Sequence, residues 1–134
     1  MIRIVYISTS SFTFKDCDLN DIISVASVRN AALDVTGLLV FNGLNFMQAL
    51  EGPTEQVLSV MQSIVNDPRH TGVVVISREA IAERAFPGWA MRLSRTLRAD
   101  PDTGALLADN GLDSTLARAM PPALAVMFEN FTSL

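Results

Sequence analysis

The chain holds one cysteine, one histidine and no long apolar run, and each shortage excludes something. Cys17 alone closes no internal disulfide and builds no thiolate metal cluster. A lone His70 argues against a zinc site built by the protein. No apolar stretch approaches the roughly 20 residues needed to span a bilayer, so a membrane is not an expected partner. The opening Met-Ile-Arg-Ile-Val-Tyr-Ile-Ser reads as a strand and not as a secretory leader, which makes the cytoplasm the expected compartment. Basic residues are few, 10 against 14 acidic ones, for a net charge of -4. A dedicated nucleic-acid binder carries a basic excess or stripe, so no direct nucleic-acid partner is expected. Neither G-x-G-x-x-G after the first strand nor G-x-x-x-x-G-K occurs, which removes the usual dinucleotide and phosphate loops. Serines are plentiful, but His70 would have to be the base of any triad, and nothing in the sequence places it beside a serine.

What is present describes one folded domain. The chain has 134 residues, 49% apolar and 18% charged, enough for a real core and too little for two. Residues 2 to 8 alternate, with Ile4, Tyr6 and Ser8 on one side and Val5 and Ile7 on the other: a strand. Residues 9 to 17 read as a polar connection. Asp18 can cap a helix from Leu19, along which Ile22, Ala26, Arg29 and Leu33 fall at helical spacing, with Asn30 beside Arg29. Thr36-Gly37 breaks that pattern. Leu38 to Phe41 reads as a second strand, Asn42-Gly43 as a hairpin turn, and Leu44 to Leu50 as the return. Gly52-Pro53 opens a second helix with Val57, Val60, Met61 and Ile64 on its apolar stripe, ended by Asn66-Asp67-Pro68. Gly72 to Ser77 is a β-branched strand, Arg78 to Arg84 helix-like or irregular, and Trp89, Met91 and Leu93 alternate as a last strand. The order βαββαββ predicts an α+β, ferredoxin-like mixed sheet with two helices on one face. Residues 97 to 134 read as a small helical appendage, with a short helix over Gly104 to Asn110, another capped by Asp113 or Ser114 and broken by Pro121-Pro122, and a resumed helix over Ala123 to Phe131.

Few residues in this frame can carry chemistry. The acid pairs Asp16/Asp18 and Asp100/Asp102 fall in loop-like segments, where solvated charge is the default. Cys17 lies in polar surroundings with no adjacent base. The informative residues are polar ones inside apolar elements. Tyr6 is mid-strand, and Gln48 shares a face with Phe46 and Leu50. The first and third strands of such a sheet are central neighbours, so Tyr6 and Gln48 can meet beneath the helices. A buried glutamine needs partners for its carbonyl and its amide. Tyr6 supplies one, and either a core network that fixes register or a heteroaromatic ligand supplies the rest. Asn30 can reach the same place. Trp89 and Met91 read equally as core fillers. Arg69 and His70 read as solvated charge or, for Arg69, as a phosphate contact. Glu51 reads as an acid at a helix start.

The order of fragments then adds a family. Tyr6-Ile7-Ser8, Ser27-Val28-Arg29-Asn30, Val35 through Phe41, Gly43, Phe46 through Pro53, Asp67-Pro68-Arg69-His70 and Phe86 through Met91 together resemble the BLUF family, blue-light sensors that bind a flavin. The resemblance covers about residues 2 to 95. It implies a photosensor domain over residues 1–96 and a C-terminal cap or output appendage over 97–134. It implies a photoreceptor and not an enzyme, with FAD as the flavin and FMN or riboflavin as alternatives. Tyr6 and Gln48 are implied as the photoactive pair. Ile22, Arg29, Asn30, Gln48, Ile64, Asp67, Arg69 and His70 are implied as the flavin's neighbours, and Trp89 and Met91 as a relay from the glutamine. Arg29 stands where some members have asparagine or histidine. A short sensor of this kind signals by changing an interface, so a homo-oligomer and a downstream protein are the expected partners.

Overall fold

The computed structural model describes residues 1–10, 16–41, 45–68, 70–86, 92–95, 97–99, 106–108 and 121–132. In chain order these form β1 (Ile2–Ser10), α1 (Asp16–Ala32), β2 (Thr36–Phe41), β3 (Asn45–Gly52), α2 (Thr54–Val65), β4 (His70–Ala80), β5 (Arg92–Arg95), β6 (Leu97–Ala99), β7 (Leu106–Ala108) and α3 (Pro122–Thr132). Five strands make one sheet in the order β4-β1-β3-β2-β5. β1 runs antiparallel to β3 and β4, β2 antiparallel to β3, and β5 parallel to β2. This is the ferredoxin-like mixed sheet expected from the element order.

Alternation along the strands splits the core in two. Ile4, Tyr6, Leu39, Phe46 and Leu50 face α1 and α2, where Ile22, Ala26, Val57, Val60, Met61 and Ile64 pack on them. Val5, Leu38, Val40, Met47 and Ala49 face the other way, against Phe86 and Leu124 of α3. β2 and β3 are therefore buried on both faces, which is why Leu38 to Phe41 reads as a continuous apolar run. Among the described residues no helix is long and apolar enough to cross a membrane.

Several boundaries differ from the sequence reading. α1 starts at Asp16, so Asp16, Cys17 and Asp18 belong to its first turn and not to a loop; acids there suit the positive end of the helix. α1 stops before Thr36-Gly37 is reached. Asp34 takes a left-handed conformation (φ 56°), and Val35 N–H returns to Asn30 O at 2.9 Å while Asp34 N–H returns to Ala31 O at 3.3 Å. That is a Schellman ending, in which an aspartate occupies the place glycine usually takes. Pro53 precedes the first turn of α2 and does not sit within it. β4 continues through Arg78, Glu79 and Ala80, where an irregular piece was expected, because these residues pair with Ile4, Arg3 and Ile2. Leu106–Ala108 is a strand and not part of a helix over 104–110; it pairs antiparallel with Leu97–Ala99.

Gly37 makes the β2–β3 approach possible. A Cβ there would lie 2.3 Å from the carbonyl oxygen of Ala49. The obstructing atom is backbone in a central strand, so relief requires the sheet to move. Gly37→Ala is expected to destabilise the fold by about 1–3 kcal/mol or more, read as a lowered urea midpoint.

Candidate functional site

The β1–β3 register sets Tyr6 directly opposite Gln48. Their side chains lie on the helix-covered face, 0% and 3% exposed, and the Tyr6 hydroxyl donates to Gln48 Oε1. Leu39 of β2 pairs with Gln48 from the other side. Burial pushes the Tyr6 phenol far above the usual tyrosine range; the positive charge of Arg29 opposes that shift and the negative charge of Asp67 adds to it. Tyr6 is thus held as a neutral phenol with its proton aimed at the glutamine.

That shift has a direct consequence. An unfolded tyrosine titrates near 10, and the folded group titrates above it. The stabilisation is complete below about pH 10 and is lost as pH rises from there toward the folded value, because the unfolded chain releases its proton first. Tyr6 is the only tyrosine in the chain, so tyrosinate absorbance reports it alone. Above about pH 10 that absorbance is expected to appear together with loss of the fold, and its appearance in a fully folded protein would contradict this environment.

A narrow cleft of about 20 Å³, room for roughly one water molecule as the side chains stand, lies beside Gln48. Ile22, Val25, Ala26 and Arg29 of α1 line it at spacings that place them on one side of the helix. Leu39, Gln48, Ile64, Asp67 and His70 complete the wall. Asn30 is fully buried, and its Oδ1 accepts from Arg29 Nε at 3.2 Å. His70 is anchored at the start of β4: Nδ1 lies 2.9 Å from Ser8 Oγ, and the ring centroid is 4.8 Å from that of Phe46. The chain therefore brings Ser8 and His70 together, a pairing that no local pattern signals. Among the described residues no cluster of three metal-binding side chains occurs.

This donor set fits a flat heteroaromatic group. Isoleucines from both helices offer apolar walls, and primary amides offer donors and acceptors to a polar ring edge. Arg29, Asp67 and His70 give a charged and polar margin where a phosphate-bearing or ribityl tail can be met. Of the residues named from sequence, Ile22, Arg29, Gln48, Ile64, Asp67 and His70 line the cleft, and Tyr6 and Asn30 adjoin its lining residues. Arg69, Trp89 and Met91 lie outside the described residues. Val25, Ala26 and Leu39 were not named as site residues. Val25 and Ala26 carried a signal, since they stand three and four residues from both Ile22 and Arg29. Glu51 does not serve a helix start: it lies on the opposite face of the sheet, paired with Arg3.

Comparison with known proteins agrees with this geometry. The family described as "BLUF: Sensors of blue-light using FAD" matches residues 1–92. The photoactivated adenylate cyclase subunit beta of Euglena longa is 41% identical over 90 residues, covering 66% of this chain and 10% of that protein. The blue light- and temperature-regulated antirepressor BluF of Escherichia coli K12 is 41% identical over 75 residues, 56% of this chain and 19% of that protein. This chain thus spans less than a fifth of the length of either relative. The dark-state structure of BlrB, a BLUF protein, superposes with a TM-score of 0.69 at 28% identity, covering 94% of this chain and 82% of that one. With a sensor fold, a buried tyrosine–glutamine pair beside a cleft, and a family match over most of its length, the chain belongs to the BLUF family of blue-light sensors.

Proposed function

We propose that this chain is a blue-light photoreceptor whose cleft between α1 and α2 holds FAD, and that Tyr6 and Gln48 are its photoactive pair. The single observation that carries the reading is the hydrogen bond from the Tyr6 hydroxyl to Gln48 Oε1, buried beside that cleft. When bound, the flavin supplies light absorption and an excited state that accepts an electron. With the flavin bound, Tyr6 would be the donor of that electron and of its phenolic proton, both passing to the flavin and both returning to Tyr6. Gln48 is left in a different hydrogen-bonded state, because its amide can pair in more than one way. Burial makes that re-pairing energetically consequential.

Around this pair, Asn30 and Gln48 would hold the polar edge of the flavin and Ile22 and Ile64 would supply apolar contacts to it. Arg29, Asp67, Arg69 and His70 meet its side or tail. FAD is the preferred flavin, as in the family's description; FMN and riboflavin share the ring and are the alternatives. Residues 1–96 act as the sensor and 97–134 as the output appendage, supported by the match over residues 1–92 and by the packing of Leu124 on the far core. Trp89 and Met91 relay the change at Gln48. The chain does no catalysis of its own and signals from the cytoplasm through a protein interface, to a second copy or a downstream protein.

Light-minus-dark absorption of the purified, flavin-loaded chain tests the reading. Blue light is expected to give a reversible red shift without lasting bleaching. Release of the chromophore and its chromatography identify the flavin. Colourless protein that also fails to take up added flavin would overturn the proposal.

A further inference from the structure

The face of the sheet opposite the cleft carries a buried ionic cluster. Arg3 and Glu51 are register partners on β1 and β3, 5% and 0% exposed. Arg3 Nε and Nη2 each lie 2.8 Å from Glu51 Oε2, and Arg3 Nη1 reaches Glu79 Oε1 at 2.6 Å. The same Glu51 carboxylate also accepts two backbone amides from the segment after β4: Ala85 N–H on Oε2 at 3.0 Å and Phe86 N–H on Oε1 at 2.8 Å. Beside them, Arg84 Nη1 donates to Thr36 Oγ1 at 3.1 Å and Nη2 to Asp34 O at 2.9 Å. Charge-assisted bonds to both carboxylate oxygens fix a loop more firmly than neutral ones.

Glu51 follows Gln48 by three residues on one strand, an odd step that places the two side chains on opposite faces. Phe86 is fully buried in the far core, which also contains Leu124 of α3. We propose that Glu51 is a positioning residue: through its grip on Ala85 and Phe86 it transmits a displacement of β3 at Gln48 to the far core and so to α3. The coupling half of this inference rests on the photoreceptor reading; the grip itself does not. Contiguity alone does not establish coupling, so the test separates the two.

The flavin-loaded full chain and its Glu51→Gln variant are compared by amide hydrogen exchange in darkness and under blue light, with the flavin spectrum recorded in parallel. The variant keeps the side chain's size but removes its charge and one of its acceptor oxygens. Exchange at Ala85 and Phe86 in darkness is expected to rise about tenfold or more, the effect of losing roughly one charge-assisted bond. The red shift is expected to persist, since Tyr6 and Gln48 are untouched, while the light-induced exchange change over residues 122–132 disappears. Glu51→Asp, which keeps the charge for Arg3 but shortens the reach to the amides, gives the same readouts if Glu51→Gln does not fold. Unchanged dark exchange at both amides overturns the grip. A full light response of α3 in the variant, or a wild type that red-shifts with no change in α3, overturns the coupling. A wild type with no red shift is the separate signature of a failed photoreceptor reading and removes the coupling with it.

Discussion

Replacing Tyr6 by phenylalanine is expected to abolish the reversible red shift while leaving the protein folded and yellow. The ring is fully buried among Ile4, Phe46 and the helix side chains, and phenylalanine preserves nearly all of that packing. The substitution removes one hydroxyl, the group whose proton points at Gln48. It also removes the easily oxidised phenol, so the proposed electron and proton have no source. The cost to folding is modest by comparison: loss of a partner for a buried amide oxygen amounts to about 1–3 kcal/mol, and less where a bound flavin re-pairs it. Steady-state difference spectra and the unfolding midpoint are the measurements. A Tyr6→Phe protein with the wild-type shift and yield would remove Tyr6 from the mechanism.

Arg3→Met is expected to cost about 3–5 kcal/mol, the range for stranding one member of a buried ion pair. The Glu51 carboxylate is wholly enclosed, and without Arg3 its described partners are the two amide donors at Ala85 and Phe86. Urea unfolding at neutral pH measures the loss. The double variant Arg3→Met, Glu51→Leu is expected to recover part of it, because removing both charges removes the uncompensated one. It does not recover all of it, since the amides of Ala85 and Phe86 then lack their acceptor. A single variant within about 1 kcal/mol of wild type would mean that the pair is solvated in solution and is worth no more than a surface bridge.

The two predictions concern opposite faces of one strand, and the sequence treats those faces unequally. Gln48 stands out because an amide among Phe46, Met47, Ala49 and Leu50 is anomalous on an apolar strand, and Tyr6 because its alternation places it inward. Strand order then follows from the sequence of elements, so their meeting was legible before any coordinates. Glu51 was misread for a local reason. It precedes Gly52-Pro53 and a helix, where an acid ordinarily suits the helix terminus, but alternation from Gln48 points its side chain the other way. Its partner Arg3 is 48 residues distant, and no local pattern joins them.

The sequence by itself determined the alternation of strands and helices, the shared faces of Ile4 with Tyr6 and of Phe46 with Gln48 and Leu50, and the family, because these depend on side-chain period and on fragments whose order survives in the linear chain. Through the resemblance it also named most of the residues that line the cleft, whereas helical spacing alone placed Ile22 and Arg29 on one side of α1. Only the tertiary structure decided where the charges and the chain ends go. Arg3 with Glu51, Ser8 with His70, and Arg84 with the α1–β2 turn are long-range pairs set by register and by the course of the segment after β4. Hydrophobic periodicity constrains which face a residue occupies, not which distant partner shares it. The packing of Leu124 against the far core has the same origin: α3 carries an apolar stripe in sequence, but the surface that receives the stripe exists only once the sheet has closed.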